Sequence, residues 1–147
     1  MGSLENNYFS IGFNDFRYLL KYDKNDELSY NRVASESQQV IEKILKGLIE
    51  NCDRIPITDK ERLLKTHNLR KLGETVNFQY HARLNLSDLA YVKDFYYEAR
   101  YPGDEFVEVD KFTRDKCIDI VCSTLRKVIP FCPETSAETR ILLEQPL

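Results

Sequence analysis

This chain has few residues that interrupt a helix. Its 147 residues include only 5 glycines and 5 prolines, and the prolines stand at positions 56, 102, 130, 133 and 146. Proline breaks a helix because it lacks the backbone N–H and clashes with the preceding turn. Since the prolines fall at the ends of the apolar patterns described below, the segments between them can form uninterrupted helices. This scarcity favours an all-α protein.

Long apolar runs are missing as well. No stretch approaches the roughly 18 consecutive apolar residues that a membrane-spanning helix needs, and the N-terminus lacks the apolar core of a signal peptide. The composition, 42% hydrophobic and 31% charged, is typical of a globular protein in water. A net charge of −3 argues against coating duplex nucleic acid through bulk charge. We therefore expect a cytoplasmic protein that has no membrane partner.

The motifs of metal and cofactor sites are also absent. The four cysteines, Cys52, Cys117, Cys122 and Cys132, contain no Cys-x-x-Cys pair and match no zinc spacing. The sequence has no glycine-rich phosphate loop, no Gly-x-Ser-x-Gly segment and no His-Glu-x-x-His helix. It therefore predicts reduced structural cysteines and neither a metal nor a cofactor.

What the chain does have is helical periodicity. Apolar residues recur at intervals of three and four in segments that predict helices over about 8–22, 27–51, 68–77, 87–99 and 110–128. We expect Asn6 or Asn7 to cap the first of these helices. Thr58-x-x-Glu61 predicts a capping box for a short helical turn, and Thr135-x-x-Glu138 predicts the cap of a final turn.

These segments predict an antiparallel up-and-down bundle of four to five helices with a short C-terminal extension. In this interpretation residues 1–147 form a single domain, with a core at about 8–130 and a tail at 131–147. The length is adequate, because a domain of this size buries about two-thirds of its unfolded surface.

Three groups of residues carry a resemblance to a known family. The groups are Ala34, Ser37, Gln38, Gln39, Glu42, Lys43, Leu45 and Lys46, then His67, Leu69 and Leu72, and finally Tyr97, Ala99, Arg100, Tyr101 and Pro102. In this order they resemble the HEPN domains, and the Ala-Arg-Tyr-Pro ending is typical of one large subgroup. The resemblance implies a helical bundle that is commonly a homodimer. It also implies nucleotide or RNA binding, a role in toxin–antitoxin modules, or a small nucleotidyltransferase as partner protein.

The same resemblance leaves the activity open. Many catalytic HEPN domains resemble metal-independent ribonucleases that carry Arg, four to six residues and then His on a late helix, and here the late helix has no histidine. The preferred interpretation is therefore a non-catalytic binding module. The alternative is a ribonuclease in which His67 takes the 2′-hydroxyl proton and Arg62 or Arg100 stabilises the charge on phosphate. Arg62 fits the spacing to His67, but it lies between the second and third helices.

Basic residues gather where the second helix meets the third. Lys43, Lys46 and Arg70 lie there beside His67, and together they are a candidate phosphate site. The alternative is a solvated face, in which Glu42 pairs with Lys46 four residues later and His67 hydrogen-bonds a carboxylate such as Glu42. The second histidine, His81, is expected to be an exposed loop residue.

Arg100 and Tyr101 complete the set of candidate ligand-binding residues. The arginine can hold a phosphate and the tyrosine ring can stack on a base, although the same segment can instead lock the fourth helix to its neighbours. Five aromatic residues fall within 91–101, which is more than one helix face needs for its own core. Since tyrosine is common where protein surfaces pair, the segment Tyr91–Tyr101 predicts a homodimer contact.

Overall fold

A computed structural model of the protein describes residues 6–133 and 135–144, and within them the chain is all-α. Eight α-helices occur there, together with 3₁₀ turns at Glu27–Ser29 and Ile129–Phe131 and without any strand. The helices are α1 (Tyr8–Leu19), α2 (Tyr30–Glu50), α3 (Ile57–Lys65), α4 (Leu69–Tyr80), α5 (Leu86–Lys93), α6 (Phe95–Glu98), α7 (Lys111–Val128) and α8 (Ala137–Glu144). The predicted fold class is confirmed, with more helical segments than the four to five expected.

Helix α2 is the centre of the bundle. Helices α1, α4 and α7 all pack against it, and its side chains are buried on nearly every side, from Tyr30 to Ile49. A helix surrounded in this way must be apolar over a wide face, which explains the broad stripe in its sequence. The buried side chains form one continuous core that also includes residues of α1, α5 and α8.

The last helix is docked on the bundle. Helix α8 packs against α1 and α7. Arg17 of α1 forms an ion pair with Glu138 at 3.0 Å, and Arg126 Nε of α7 donates to the Leu143 carbonyl at 2.7 Å. The predicted C-terminal tail therefore contains a docked helix, while its last three residues and residue 134 lie outside the described part of the chain.

Two of the predicted helix caps are wrong. Helix α3 begins at Ile57 after Pro56 and has no side-chain cap hydrogen bond, because Thr58 already lies within its first turn. At α8 the Ser136 hydroxyl accepts from the Thr139 N–H at 3.2 Å, one residue after the predicted Thr135. The cap of α1 is confirmed as Asn7, whose Oδ1 accepts from the Ser10 N–H at 2.8 Å.

Helix boundaries also differ from the prediction. The first helix ends at Leu19, short of Tyr22, and the second begins only after the 3₁₀ turn that Asp26 caps. The predicted fourth helix is divided at Asp94. There the Asp94 carbonyl accepts from the N–H groups of Tyr97 at 3.1 Å and Glu98 at 3.0 Å, which starts α6 as a separate turn.

All four cysteines are free thiols, and Cys52, Cys117 and Cys122 are buried. Burial raises the pKa of Cys117 to about 12 and that of Cys122 to about 11. These groups therefore remain protonated and unreactive at neutral pH. Among the helices described, none combines the length and apolar character that crossing a membrane requires.

Helices α1 and α2 approach closely because glycine occupies the contact. A Cβ at Gly47 of α2 would lie 2.8 Å from Cε1 of the Phe9 ring, and a Cβ at Gly12 of α1 would lie 2.7 Å from Cδ1 of Ile44. Phe9 is only 7% exposed, so its ring has little room to move away. Gly47 is thus retained inside a long helix for packing, although glycine lowers helix stability there.

We expect the substitution Gly47→Ala to destabilise the protein by about 1 kcal/mol. The gain of about 1 kcal/mol in helix propensity is outweighed by overpacking against Phe9, which typically costs about 1–3 kcal/mol. Urea unfolding of the wild type and the variant measures the difference. Because the loss arises at Phe9, combining Gly47→Ala with Phe9→Leu should cost less than the sum of the two single changes. A Gly47→Ala variant more stable than the wild type contradicts this interpretation.

Candidate functional site

A buried carboxylate organises the polar residues of this fold. Glu42 Oε1 accepts hydrogen bonds from Gln38 Nε2 at 2.9 Å and His67 Nδ1 at 2.8 Å, and its Oε2 lies 3.3 Å from Lys46 Nζ. Gln38, Glu42 and Lys46 are four residues apart on α2, so they lie on one face of that helix. His67 reaches them from the connection between α3 and α4, just before the N-cap residue Asn68. We call these four residues the Glu42 cluster.

The ion pair in the Glu42 cluster is buried. Glu42 is 9% exposed, Lys46 4% and Gln38 0%. The sequence suggested an ordinary surface pair between Glu42 and Lys46, whereas the structure encloses both charges beneath the neighbouring helices. Such charges are tolerated only when they are paired and hydrogen-bonded. The cluster meets this condition with three donors on one carboxylate.

The ring of His67 is held in one orientation. It stacks on the ring of Tyr96 with a centroid separation of 4.2 Å and an angle of 13° between planes, and Tyr97 meets it edge-on at 6.5 Å. Gln38 Nε2 also donates to the His67 carbonyl at 3.3 Å. The side chain is nevertheless 39% exposed. One edge of the imidazole is therefore tied to Glu42, while the ring itself reaches the surface.

Arg100 adds a positive charge next to the tyrosine rings. Its guanidinium carbon lies 4.8 Å from the centroid of the Tyr96 ring and 5.4 Å from that of Tyr101, both within the range of a cation–π interaction. Within the described residues, Arg100 forms no salt bridge. Tyr97 is 58% exposed and Tyr101 48%. We call His67, Tyr96, Tyr97, Arg100 and Tyr101 the aromatic surface.

One side chain of α2, that of Asn31, makes three hydrogen bonds to the segment around Arg100. Asn31 Nδ2 donates to the carbonyl of Ala99 at 3.3 Å and to that of Val107 at 2.7 Å, and its Oδ1 accepts from the Val109 N–H at 2.8 Å. The chain between these anchors turns at Gly103, whose φ of 140° is a conformation that favours glycine. Asn31 therefore sets the position of the Ala-Arg-Tyr-Pro ending relative to the rest of the bundle.

Comparison with known proteins shows the family. The model of the HEPN domain matches residues 14–132, which is more than half of the chain. This protein belongs to the HEPN domain family. No curated protein and no solved structure gives a significant match. The matched residues of the HEPN domain contain both the Glu42 cluster and the aromatic surface.

The HEPN fold brings four of the predicted site residues together. Lys46 and His67 meet at Glu42. Arg100 contacts the rings of Tyr101 and Tyr96, and the Tyr96 ring stacks on His67. The hydrogen bond between His67 and a carboxylate such as Glu42, one of the two alternatives that the sequence predicts, is present in the structure.

The other predicted residues have partners elsewhere. Lys43 of α2 forms an ion pair with Asp15 of α1. Arg70 pairs with Glu74 on α4 at 3.4 Å, and Arg62 pairs with Asp59 on α3 at 3.2 Å. His81 is exposed and ends α4 in the left-handed conformation, with φ of 54°. The predicted basic site is therefore divided, and only the part beside His67 joins the aromatic surface.

Sequence analysis did not identify Gln38 and Tyr96 as parts of the site. Gln38 is a polar residue within the buried face of α2, four residues before Glu42, and that position is a signal for a buried polar network. Tyr96 precedes Arg100 by four residues, a spacing that suits a contact along a helix. These two spacings do not reveal that a residue from a distant part of the chain, His67, contacts both groups.

A metal centre is not supported by the geometry. The described residues contain no group of three or more His, Cys, Asp or Glu side chains that could hold a metal ion. A cavity of about 690 Å³ is lined by Arg126, Pro130 and Arg140 near α8, and none of the predicted site residues borders it. The side chains at the aromatic surface offer stacking by the tyrosine rings, hydrogen bonding by His67 and the positive charge of Arg100.

The Glu42 cluster leads to a stability prediction. Replacing Lys46 by Met leaves the buried Glu42 carboxylate without its cation, and breaking a buried pair in this way typically costs about 3–5 kcal/mol. The matched control is Lys43→Met, since the pair of Lys43 and Asp15 is about one-third exposed and such pairs contribute about 0–1 kcal/mol. For the Lys46→Met variant, the free energy of unfolding measured in urea should be well below that of Lys43→Met. Equal losses in the two variants contradict a special role for the buried pair.

Proposed function

We propose that this HEPN domain is a non-catalytic binding module that takes a nucleotide or single-stranded RNA on its aromatic surface. The observation that carries the proposal is Arg100, which has no ion-pair partner within the described residues and lies against two tyrosine rings, one of which stacks on His67. Proteins bind single strands by combining positive charge on phosphates with aromatic rings on which bases stack. The aromatic surface contains both elements within one short segment.

Local charge supports this proposal despite the acidic composition of the chain. Arg70, Arg62 and Lys43 are each compensated by a neighbouring carboxylate, so their charges contribute little to attracting an anion. Arg100 has no carboxylate within ion-pair distance in the described parts of the chain. A phosphate would therefore find at Arg100 a cation that does not have to be released from another partner first.

A metal-independent ribonuclease is the second candidate, and the Glu42–His67 contact favours it. A carboxylate that holds one nitrogen of a histidine orients the other nitrogen for proton transfer. The arginine that such chemistry also needs is less well supported. Arg62 donates to Asp59 within its own helix, and no arginine in the described residues donates to His67. Arg100 would have to serve as the catalytic cation from above the ring of Tyr96.

We also propose that the domain forms a homodimer next to this surface. Of the five aromatic residues in 91–101, Phe95 is buried and Tyr91 packs against the core. Exposed apolar side chains continue beyond the segment at Phe106, which is 49% exposed, and Val107, which is 37% exposed. A contact through Phe106 and Val107 would cover this apolar strip and leave the aromatic surface at the edge of a groove between two copies.

Binding of a fluorescent single-stranded oligo(U) in the presence of EDTA tests the binding module. Arg100→Gln should weaken binding by tenfold or more and lower the salt dependence by about one phosphate contact. The matched control is Arg70→Gln, because Arg70 is paired with Glu74 and should change the affinity by less than twofold. Equal effects of the two variants contradict the proposed site. Cleavage of the RNA in the same samples would instead favour the ribonuclease.

Light scattering at micromolar concentration tests the dimer, which should have twice the chain mass of 17.3 kDa. A double change of Phe106→Glu and Val107→Glu places charges in the proposed contact and should give a monomer, since charge is depleted from interface cores. The control is Phe78→Glu on α4, a site that is 77% exposed and distant in sequence from the contact. A wild-type monomer, or a dimer that the double change does not disturb, contradicts the proposed contact.

A further inference from the structure

We propose that the cavity beside the end of α7 is a second binding site, which takes a small organic monoanion with an apolar body. The cavity has a volume of about 690 Å³, and sites for small molecules usually measure about 300–1,000 Å³. Among its described lining residues, none belongs to the Glu42 cluster or to the aromatic surface. This site is therefore separate from the one proposed for a nucleotide or RNA.

The cavity forms where the chain turns after α7. Pro130 lacks the N–H that a continuing helix needs, so α7 is followed by the 3₁₀ turn Ile129–Phe131. The chain then returns as α8, which packs against α7. Residues of the turn and of the end of α8 line the space together. The cavity is thus a product of the docking of α8.

Part of the cavity wall is apolar. Leu143 is only 3% exposed, and Ile129 and Cys132 are partly buried against the core. Burial raises the pKa of the Cys132 thiol to about 12, so this group is neutral and adds no negative charge to the wall. An apolar ligand that covers these side chains gains free energy by removing their surface from water.

Arg126 supplies one positive charge. Its Nε donates to the Leu143 carbonyl at 2.7 Å, which holds the guanidinium against α8. In the part of the chain that the structure describes, its two terminal nitrogens have no hydrogen-bond or ion-pair partner. Two such nitrogens can bind both oxygens of a carboxylate or sulfonate through parallel hydrogen bonds.

Arg140 supplies a second positive charge from α8. Glu144 follows it by four residues, yet no ion pair joins the two side chains, and Arg140 has no other ion pair to a described residue. Glu144 also lines the cavity. Two arginines and one glutamate leave the described lining with one net positive charge.

This combination of walls and charges defines the class of ligand. The net positive charge repels a cation, and a neutral apolar molecule would cover the arginines without giving them an acceptor, which is unfavourable. A multiply charged phosphate would be repelled by Glu144 and would leave the apolar wall uncovered. A single anionic group attached to a hydrocarbon or an aromatic ring matches both parts of the cavity.

The first experiment locates the site in the wild-type protein by NMR, with octanoate added to a sample that carries isotope-labelled Ile, Leu and Val methyl groups. The methyl signals of Ile129 and Leu143 should shift and saturate. Ile57, which is 74% exposed, and Leu28, which is 96% exposed, report octanoate on apolar surface outside the cavity. Their signals should not change at the same concentrations.

Two related ligands separate the roles of the charge and the hydrocarbon. Octanol has the same chain without the carboxylate and should bind at least about fivefold more weakly, since it offers the arginines no anion. Butyrate keeps the carboxylate but has four fewer methylenes, so it should bind at least about tenfold more weakly. This comparison needs no variant and is independent of any effect of mutation on folding.

The variant that tests the cation is Arg140→Gln. It leaves the hydrogen bond from Arg126 to α8 in place, and it should weaken octanoate binding by about fivefold. The matched control is Arg83→Gln, because Arg83 is an exposed arginine that does not line the cavity. This control should change the affinity by less than twofold.

Each other outcome overturns the proposal. Unchanged signals of Ile129 and Leu143 show that the cavity does not take the ligand, and equal shifts at Ile57 and Leu28 show unspecific adsorption. Octanol that binds as tightly as octanoate removes the role of the anion, and so do equal affinities of Arg140→Gln and Arg83→Gln. None of these results bears on RNA binding at the aromatic surface, which the oligo(U) experiment tests by itself.

Discussion

The buried carboxylate of Glu42 is the interaction on which the rest of this structure depends. A charge enclosed in a helical bundle is stable only if donors surround it, and here the donors come from two directions. Gln38 and Lys46 lie on the same helix, whereas His67 comes from the connection before α4. The requirement to satisfy one carboxylate therefore attaches α4 to α2 and at the same time orients the ring that carries the aromatic surface.

The order and class of the helices could be predicted because α2, α4 and α7 bury wide apolar faces that repeat at helical spacing. Their ends could not all be predicted. Thr58 and Thr135 have the sequence of helix caps, yet Pro56 begins α3 earlier and Ser136 is the residue that caps α8. The apolar periodicity also predicts one helix over residues 87–99. It does not show the break at Asp94, because that break depends on backbone hydrogen bonds and leaves the apolar spacing intact.

The candidate site was predictable where its contacts run along one helix. Glu42 and Lys46 are four residues apart, and this spacing predicts a pair without any knowledge of the fold. Their burial was not predictable, since it depends on which helices cover α2. The same limit applies to Lys43, which lies next to Glu42 in sequence but faces α1 and Asp15. Tyr96 joins the site through its stack on His67, a residue from a distant part of the chain that helical spacing does not reveal.

The hydrogen bonds of Asn31 limit how the site can change shape when a ligand binds. The two sides of the site come from distant parts of the chain, but both are attached to α2, through Asn31 for the Ala99 carbonyl and through Glu42 for His67. Asn31 and Glu42 are about three helical turns apart on this helix. The helix therefore fixes the separation of the two sides of the site. Because both sides of the site are attached to one helix, they cannot move toward each other by a hinge motion. The site selects ligands by the spacing of their groups.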